Sequence, residues 1–218
     1  MNILNEFFDK IYCINLDRRQ DRWDECCLIF KNMNLNVERF SAFDGNLLNL
    51  GYDKVYTSEI ACGISHVKIL KSAIADNLKN VLILEDDVLF SDNLLDIFEK
   101  VTTELPEDWD ILFLGGNHVG GASKTSENLA RVYNTYTTHC YAINSKCFQT
   151  IYDHIACKIE YVLNCGYKLN ECIAVDYCMA QLHRTLNVYS VFPNIAWQRE
   201  SYSDIQQGVQ NYDYALRN

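Results

Sequence analysis

The alternation of apolar and polar residues divides the chain into strands and helices that follow one another along its length. Short runs of β-branched, aromatic and other apolar residues predict strands over residues 10–15, 37–42, 81–84, 110–114, 133–144 and 186–192. Apolar residues at helical spacing predict helices over residues 60–77, 93–103, 147–155 and 175–182, and a further helix that contains Trp23, Cys27, Phe30 and Met33. Ser91 is the expected N-cap of the helix over residues 93–103.

Two of these strands carry the prediction of fold class. Residues 81–84 and 110–114 are almost entirely apolar, and each follows an amphipathic helix. Strands of that kind are buried on both faces of a parallel sheet that helices cover. The pattern therefore predicts an α/β fold with a mainly parallel central sheet flanked by helices.

Composition narrows the class of protein. The chain has 218 residues, about half of them apolar, with only two prolines and nine glycines. That size suits one large domain, or two halves that share a sheet, and no repeat or linker divides it. The formal net charge of −10 disfavours binding to nucleic acid or to an anionic membrane.

Ten cysteines without any CxxC spacing predict free thiols in a reducing compartment. The first ten residues lack the apolar core of a signal peptide, and no apolar run approaches the 18 residues of a membrane span. We therefore expect a cytoplasmic protein, in a bacterial or host-cell cytosol. The pattern does not specify an oligomeric state.

Three consecutive carboxylates, Glu85, Asp86 and Asp87, directly follow the strand over residues 81–84. They therefore lie at the carboxyl end of that strand, the edge at which ligands bind in open α/β sheets. Strand alternation sends Glu85 and Asp87 to one side and Asp86 to the other. Converging carboxylates attract a hard cation such as Mg²⁺ or Mn²⁺. The alternative is a solvated acidic turn.

A basic segment, NLDRRQDR, follows the first strand at residues 15–22. Arginines at the start of a helix can bind a diphosphate together with free backbone N–H groups. The alternative is a charged helix start in which Asp21 and Asp24 pair with the arginines.

Five segments in order resemble glycosyltransferase family 25, which includes bacterial lipopolysaccharide galactosyltransferases and collagen galactosyltransferases. They are IYCINLDRRQDRW (residues 11–23), FDG (43–45), CGISHVKIL (62–70), VLILEDDVLF (81–90) and PNIAWQRESYSDI (193–205). The resemblance implies a single Rossmann-like domain of the GT-A type over residues 1–218. Residues 1–115 would bind the nucleotide sugar, and residues 116–218 would supply the acceptor side and a C-terminal tail. The tail is polar from Ser201 onward and is expected to lie either over the surface or over a site.

The resemblance also implies a UDP-hexose donor, galactose or glucose, and Mn²⁺ or Mg²⁺ held by a DxD-type motif that here reads Glu85-Asp86-Asp87. Metal ligands would be Glu85 and Asp87, with Gln198, Ser203 or Asp204 in place of a late histidine, because no histidine follows His183. Donor contacts would come from Asn15, Arg18, Arg22, Asp44, Ser65, His66 and Asp86, the last of these on the ribose.

The reaction implied is transfer of the hexose to a glycan or hydroxylysine-type acceptor in one displacement with inversion. Asp87 would act through the metal, and Asp176 is the candidate general base. The alternative for Asp176 is a carboxylate placed at a helix N-terminus for its favourable dipole. Thr138 and His139 are candidates for the acceptor side, with His139 as a core residue the alternative.

Two other functions stay open. One is a non-catalytic nucleotide-sugar-binding protein. The other is a metal-dependent phosphohydrolase of the haloacid-dehalogenase type, although Glu85 stands where that class needs an aspartate nucleophile.

Overall fold

The computed structural model describes residues 2–165 and 172–211. The helices are α1 (Ile3–Phe7), α2 (Gln20–Asn32), α3 (Lys54–Ala75), α4 (Leu94–Glu104), α5 (Ser145–Cys165) and α6 (Val175–Ala180), with a 3-10 turn at Gly45–Leu47. The first seven strands are β1 (Lys10–Asn15), β2 (Glu38–Ser41), β3 (Asn80–Glu85), β4 (Val88–Phe90), β5 (Ile111–Phe113), β6 (Asn117–His118) and β7 (Ala122–Lys124). The others are β8 (Leu129–Val132), β9 (Thr135–Tyr136), β10 (Cys140–Asn144), β11 (Val188–Val191), β12 (Ala196–Gln198), β13 (Ser201–Ser203) and β14 (Gly208–Gln210).

Eight strands form the central sheet, in the order β2-β1-β3-β10-β5-β11-β8-β7. β1 pairs in parallel with β2 and β3, and β5 pairs in parallel with β11. β10 runs antiparallel to both β3 and β5, and β8 runs antiparallel to both β11 and β7. Six strands therefore share one direction and two are reversed. The predicted mainly parallel sheet, and with it the GT-A type arrangement of layers, is confirmed.

The period of two along the strands sends alternate side chains into two cores, one on each face of the sheet. One core joins Ile83 and Phe113 to α3, α5 and α6, and the other joins Leu82 and Leu112 to α1, α2 and α4. β3 is buried on both faces, because all four residues 81–84 are fully excluded from solvent. That double burial fixes the position of the three carboxylates that follow.

The predicted strand over residues 133–144 is wrong as a single element. β9 ends at Tyr136 and β10 begins at Cys140, because Thr137 has φ 74°, a left-handed conformation that interrupts an extended chain. The connection places Thr137 and Thr138 beside the end of β3 instead of within the sheet.

Helix boundaries also differ from the sequence pattern. α3 begins at Lys54, six residues before the predicted start, because the side chain of Asp53 accepts a hydrogen bond from the backbone N–H of Tyr56 and caps the helix. α4 begins at Leu94 with Asn93 at its N-cap, so the prediction of Ser91 at that position is wrong.

All ten cysteines are free. Across residues 2–165 and 172–211, no helix combines the length and the apolar character that a bilayer crossing requires.

Candidate functional site

A cavity of about 240 Å³ opens where β1 and β3 end. It lies at the carboxyl edge of the parallel strands, as predicted for a ligand site. All but one of the predicted metal, donor and catalytic residues line it: Arg18, Arg22, Asp44, Ser65, His66, Glu85, Asp86, Asp87, Asp176 and Gln198, with the alternatives Ser203 and Asp204. The exception, Asn15, lies directly behind the cavity wall, where it is 1% exposed.

Asp86 is held by hydrogen bonds on both of its oxygens. Arg22 donates from Nη1 to Oδ1 across 2.6 Å, and Asn15 donates from Nδ2 to Oδ2 across 2.6 Å. Arg39 in turn donates to the amide oxygen of Asn15. The Asp86 carboxylate therefore turns towards α2 and away from the contacts that Glu85 makes.

Glu85 contacts a different part of the cavity lining from Asp86. Its Oε1 accepts a hydrogen bond from Thr138 across 2.7 Å and lies 3.8 Å from Nε2 of His66. Burial raises the pKa of Glu85 to about 8, and the charge of Asp87 acts in the same direction. A carboxylate in this environment favours either a proton or a cation.

Asp87 has an oxygen without a partner. Its Oδ1 is buried and accepts no hydrogen bond from the described residues, while Oδ2 accepts a long one of 3.5 Å from Gln198. Burial raises the pKa of Asp87 to about 6, although Arg22, 3.8 Å away, opposes this effect. Oε1 of Gln198 is likewise buried without a hydrogen-bond partner.

These oxygens fit a divalent cation that shares its shell with a ligand. The described residues contain no group of three His, Cys, Asp or Glu side chains arranged to hold a metal ion, so a closed protein cage is absent from that part of the chain. Mg²⁺ in nucleotide sites commonly takes one or two carboxylates and completes its shell with water and phosphate oxygens. Glu85, Asp87 and the Gln198 amide oxygen match that open type.

Arginines and a β-hairpin close the other side of the cavity. β13 and β14 pair antiparallel and form the 201–210 hairpin. Asp204, in its turn, accepts from Arg18 and from Arg19, each across 2.8 Å. Arg18 also donates to Asp44 across 2.6 Å. Carboxylate–arginine pairs therefore hold the 201–210 hairpin against the cavity.

The hairpin has a second attachment. Arg22 donates from Nη2 to Ser201 Oγ across 2.7 Å and to the carbonyl oxygen of Tyr202 across 2.8 Å. Arg19 also pairs with Asp21, so the alternative of an acidic partner at the helix start holds for this one arginine.

Ser65 and His66 are fully buried on α3. Ser65 accepts a hydrogen bond from the backbone N–H of Phe43 and so holds the turn that carries Asp44. His66 shares a hydrogen bond of 2.7 Å with the hydroxyl of Tyr141. Burial lowers the pKa of His66 to about 3, so the imidazole is neutral and presents Nε2 towards Glu85.

Asp176 sits in the first turn of α6. Its Oδ2 accepts from the backbone N–H of Thr137 across 3.1 Å, and its Oδ1 accepts from the N–H of Tyr177. The carboxylate therefore holds the left-handed Thr137 in place and lies in the cavity wall at a fixed orientation.

His139 lies outside the cavity lining. It is fully buried, shares a hydrogen bond of 3.2 Å with the carbonyl oxygen of Ala196, and its burial lowers its pKa to about 4. Gly115 packs against the same carbonyl, since a Cβ there would come within 1.8 Å of it. The core alternative for His139 agrees with this position, whereas Thr138 does line the cavity.

The cavity lining also includes residues that were not predicted as site residues, among them Glu59, Cys62 and Arg199. Glu59 and Cys62 precede His66 by seven and four residues, so helical periodicity would have placed all three on one face of α3. Arg199 donates to the carbonyl oxygen of Asp86 and pairs with Glu25. No local sequence signal marks such a pair, because its members are 174 residues apart.

The chain is similar in sequence to known proteins. A sequence model described as glycosyltransferase family 25 (LPS biosynthesis protein) matches residues 8–181. Human procollagen galactosyltransferase 2 is 30% identical over 50% of this chain and 21% of its own length. Human inactive glycosyltransferase 25 family member 3 is 28% identical over 55% of this chain and 24% of its own. The chain thus spans about a fifth to a quarter of the length of these relatives.

Among solved structures, A197 from STIV is similar with a TM-score of 0.47 and 14% identity, over 96% of this chain and 94% of that one. The family match includes β1, the acidic segment after β3 and Asp176. The family model matches well over half of the residues of this chain. The chain therefore belongs to glycosyltransferase family 25.

Proposed function

We propose that the protein is a metal-dependent hexosyltransferase, which moves galactose or glucose from a UDP-sugar to a glycan or hydroxylysine-type acceptor. The observation that carries the proposal is the unpaired Oδ1 of Asp87, buried beside Glu85 at the end of β3. The same cavity is also lined by Arg18, Arg22 and Arg199. A cation site next to arginines is an arrangement suited to a diphosphate.

Glu85, Asp87 and Gln198 would hold the cation from the protein side. When bound, Mn²⁺ or Mg²⁺ would act as a Lewis acid that offsets the negative charge on the departing diphosphate. Arg22 would fix the position of these ligands, because it binds Asp86 directly and lies 3.8 Å from Asp87. Asp86 would keep this role, and its proposed contact with the ribose would use lone pairs that Arg22 and Asn15 leave open.

Arg18 and Arg22 would bind the diphosphate. Asp44 and Asp204 accept hydrogen bonds from Arg18, so carboxylate oxygens lie where phosphate oxygens would bind this arginine. Ser65 would act by holding the Asp44 turn, and neutral His66 by orienting Glu85.

Asp176 would act as the general base for a single displacement with inversion. Backbone N–H groups fix its carboxylate in the cavity wall without neutralising it. The reacting hydroxyl would donate its proton to a lone pair that those N–H groups do not use. Within this proposal, residues 1–115 bind the donor and residues 116–218 supply the acceptor side and the hairpin.

The names of one relative and of the family support the class of acceptor. One relative is named a procollagen galactosyltransferase, and the family is described by lipopolysaccharide biosynthesis. Both names fit a sugar or hydroxyl-bearing acceptor, and the inactive relative makes a direct test of activity necessary.

The test is a thermal-shift screen of UDP, GDP, Mn²⁺ and Mg²⁺, alone and in pairs. We expect UDP to raise the melting temperature only when Mn²⁺ or Mg²⁺ is also present, because the diphosphate completes the cation's shell. Stabilisation by UDP that is indifferent to metal would contradict the cation site.

Two companion assays separate the other functions. Turnover of p-nitrophenyl phosphate would identify a phosphohydrolase instead of a transferase. Metal-dependent UDP binding without release of UDP from any UDP-hexose, with or without a hydroxylysine peptide, would identify a non-catalytic binder.

A further inference from the structure

Glu59 is a carboxylate in the cavity with no assigned partner. It lies on the face of α3 that also presents Cys62 and His66, and its side chain is half-buried. Over residues 2–165 and 172–211 it makes no hydrogen bond and no ion pair within 4.0 Å. Its carboxylate can therefore accept hydrogen bonds from a ligand in the cavity.

The arginines that line the cavity already form ion pairs with other carboxylates. Arg18 pairs with Asp44 and Asp204, Arg22 with Asp86, and Arg199 with Glu25. Within the described chain, none of these arginines forms an ion pair with Glu59 or Asp176. The end of the cavity that holds these two carboxylates is therefore electronegative.

Burial raises the pKa of Glu59, and the charge of Asp176 raises the pKa of Glu59 further. Two carboxylates close enough to repel each other exclude an anion such as a phosphate from this end of the cavity. They favour neutral groups that donate hydrogen bonds, and carboxylate oxygens accept well from hydroxyls.

The position along α3 orients the donor. Seven residues separate Glu59 from His66, which is about 10 Å along the helix axis. His66 lies 3.8 Å from Glu85, so Glu59 lies about two helical turns along α3 from the residue that faces the proposed cation site. The part of a UDP-hexose that lies beyond its diphosphate is the hexose.

We propose that Glu59 binds hydroxyl groups of the transferred hexose and so selects the donor sugar, with Asp176 on the adjacent wall. This inference rests on the proposed function, because it takes the nucleotide diphosphate to lie between the arginines and Glu85. A carboxylate that must receive hydroxyl donors discriminates strongly against a sugar whose hydroxyl points elsewhere.

The experiment compares calorimetric binding of UDP, UDP-galactose and UDP-glucose, each with Mn²⁺, to the wild type, Glu59→Gln and Glu59→Asp. The control is Glu99→Gln, an exposed residue of α4 on the other face of the sheet. We expect Glu59→Gln to leave the Kd of UDP within twofold and to weaken the preferred UDP-hexose at least tenfold. Glu59→Asp should weaken it less, and Glu99→Gln should match the wild type.

Three results would overturn the inference. If the affinity of Glu59→Gln for the UDP-hexose is unchanged, Glu59 does not bind the sugar. If hexose transfer is lost while that affinity is unchanged, Glu59 acts as a general base instead. An equal loss of UDP and UDP-hexose affinity would place Glu59 at the nucleotide or in the fold, which melting curves of each variant distinguish. A wild type that binds no UDP with Mn²⁺ removes the proposed function itself, a failure distinct from the other three.

Discussion

Arg22 donates a hydrogen bond to Asp86 across 2.6 Å, and the two side chains are only 9% and 10% exposed. Arg22 comes from α2 and Asp86 follows β3, so the pair joins the basic segment to the acidic segment. Both segments were singled out in the sequence, but their direct contact was not. The pair explains why only Glu85 and Asp87 remain available to a cation.

Removal of one member of this buried pair should destabilise the fold. We expect Asp86→Ala to lower the free energy of unfolding by about 3 kcal/mol, because Arg22 is left charged and buried without its partner. The measurement is urea denaturation followed by circular dichroism. Asp21→Ala is the matched control, since Asp21 pairs with Arg19 at the surface and should cost less than about 1 kcal/mol. Equal effects of the two substitutions would contradict the assigned role of Asp86.

Two roles are open to Asp204: it competes with a diphosphate for an arginine, or it is a ligand of the cation. One substitution distinguishes these roles. We expect Asp204→Asn to tighten UDP binding several-fold in the presence of Mn²⁺, because Arg18, which lines the cavity, loses one of its two carboxylate partners and becomes more available to phosphate. Calorimetric titration measures the change. Weaker binding would instead identify Asp204 as a metal ligand, which the sequence left open.

The ligand-free protein should become less stable as the pH rises from 6.5 to 8. The pKa of Glu85 is raised to about 8 in the folded state from 4.5, so the folded state holds a proton that the unfolded chain has lost in this range. Its contribution to stability is complete below pH 4.5 and disappears as the pH passes 8.

Glu85→Gln removes this titration. With a chelator present, we expect the fall in melting temperature between pH 6.5 and 8 to be smaller by about 4 °C in the variant than in the wild type. Differential scanning fluorimetry at several pH values checks the slope. Parallel slopes would mean that Glu85 is ionised throughout this range.

The central sheet and its flanking helices could be predicted from the spacing of apolar residues, because that spacing is a property of the local sequence. Residues 81–84 had to be a strand buried on both faces, and the structure has them fully excluded from solvent. The break at Thr137 could not be read in this way. Its left-handed conformation depends on Asp176, which accepts its N–H from a helix that begins 38 residues later.

The site was predictable to the extent that its residues follow strand ends. Glu85 ends β3, Asp86 and Asp87 follow it, and Arg18 and Arg22 follow β1, so topology alone brings them together. Glu59 could not be predicted as a site residue, because a single acidic residue within a helix does not differ in pattern from an ordinary surface residue. The contacts of the 201–210 hairpin with Arg18 and Arg22 were equally hidden, because they join residues about 180 apart in the chain.

The central claim is that Asp87 holds a cation that offsets the charge of departing UDP. The most direct measurement is the rate of UDP release from a panel of UDP-hexoses with Mn²⁺, in the wild type and in Asp87→Ala. The account predicts release from UDP-galactose or UDP-glucose by the wild type, and a loss of at least 100-fold, roughly 2.7 kcal/mol, in a variant that remains folded. Equal rates in the two proteins would contradict it.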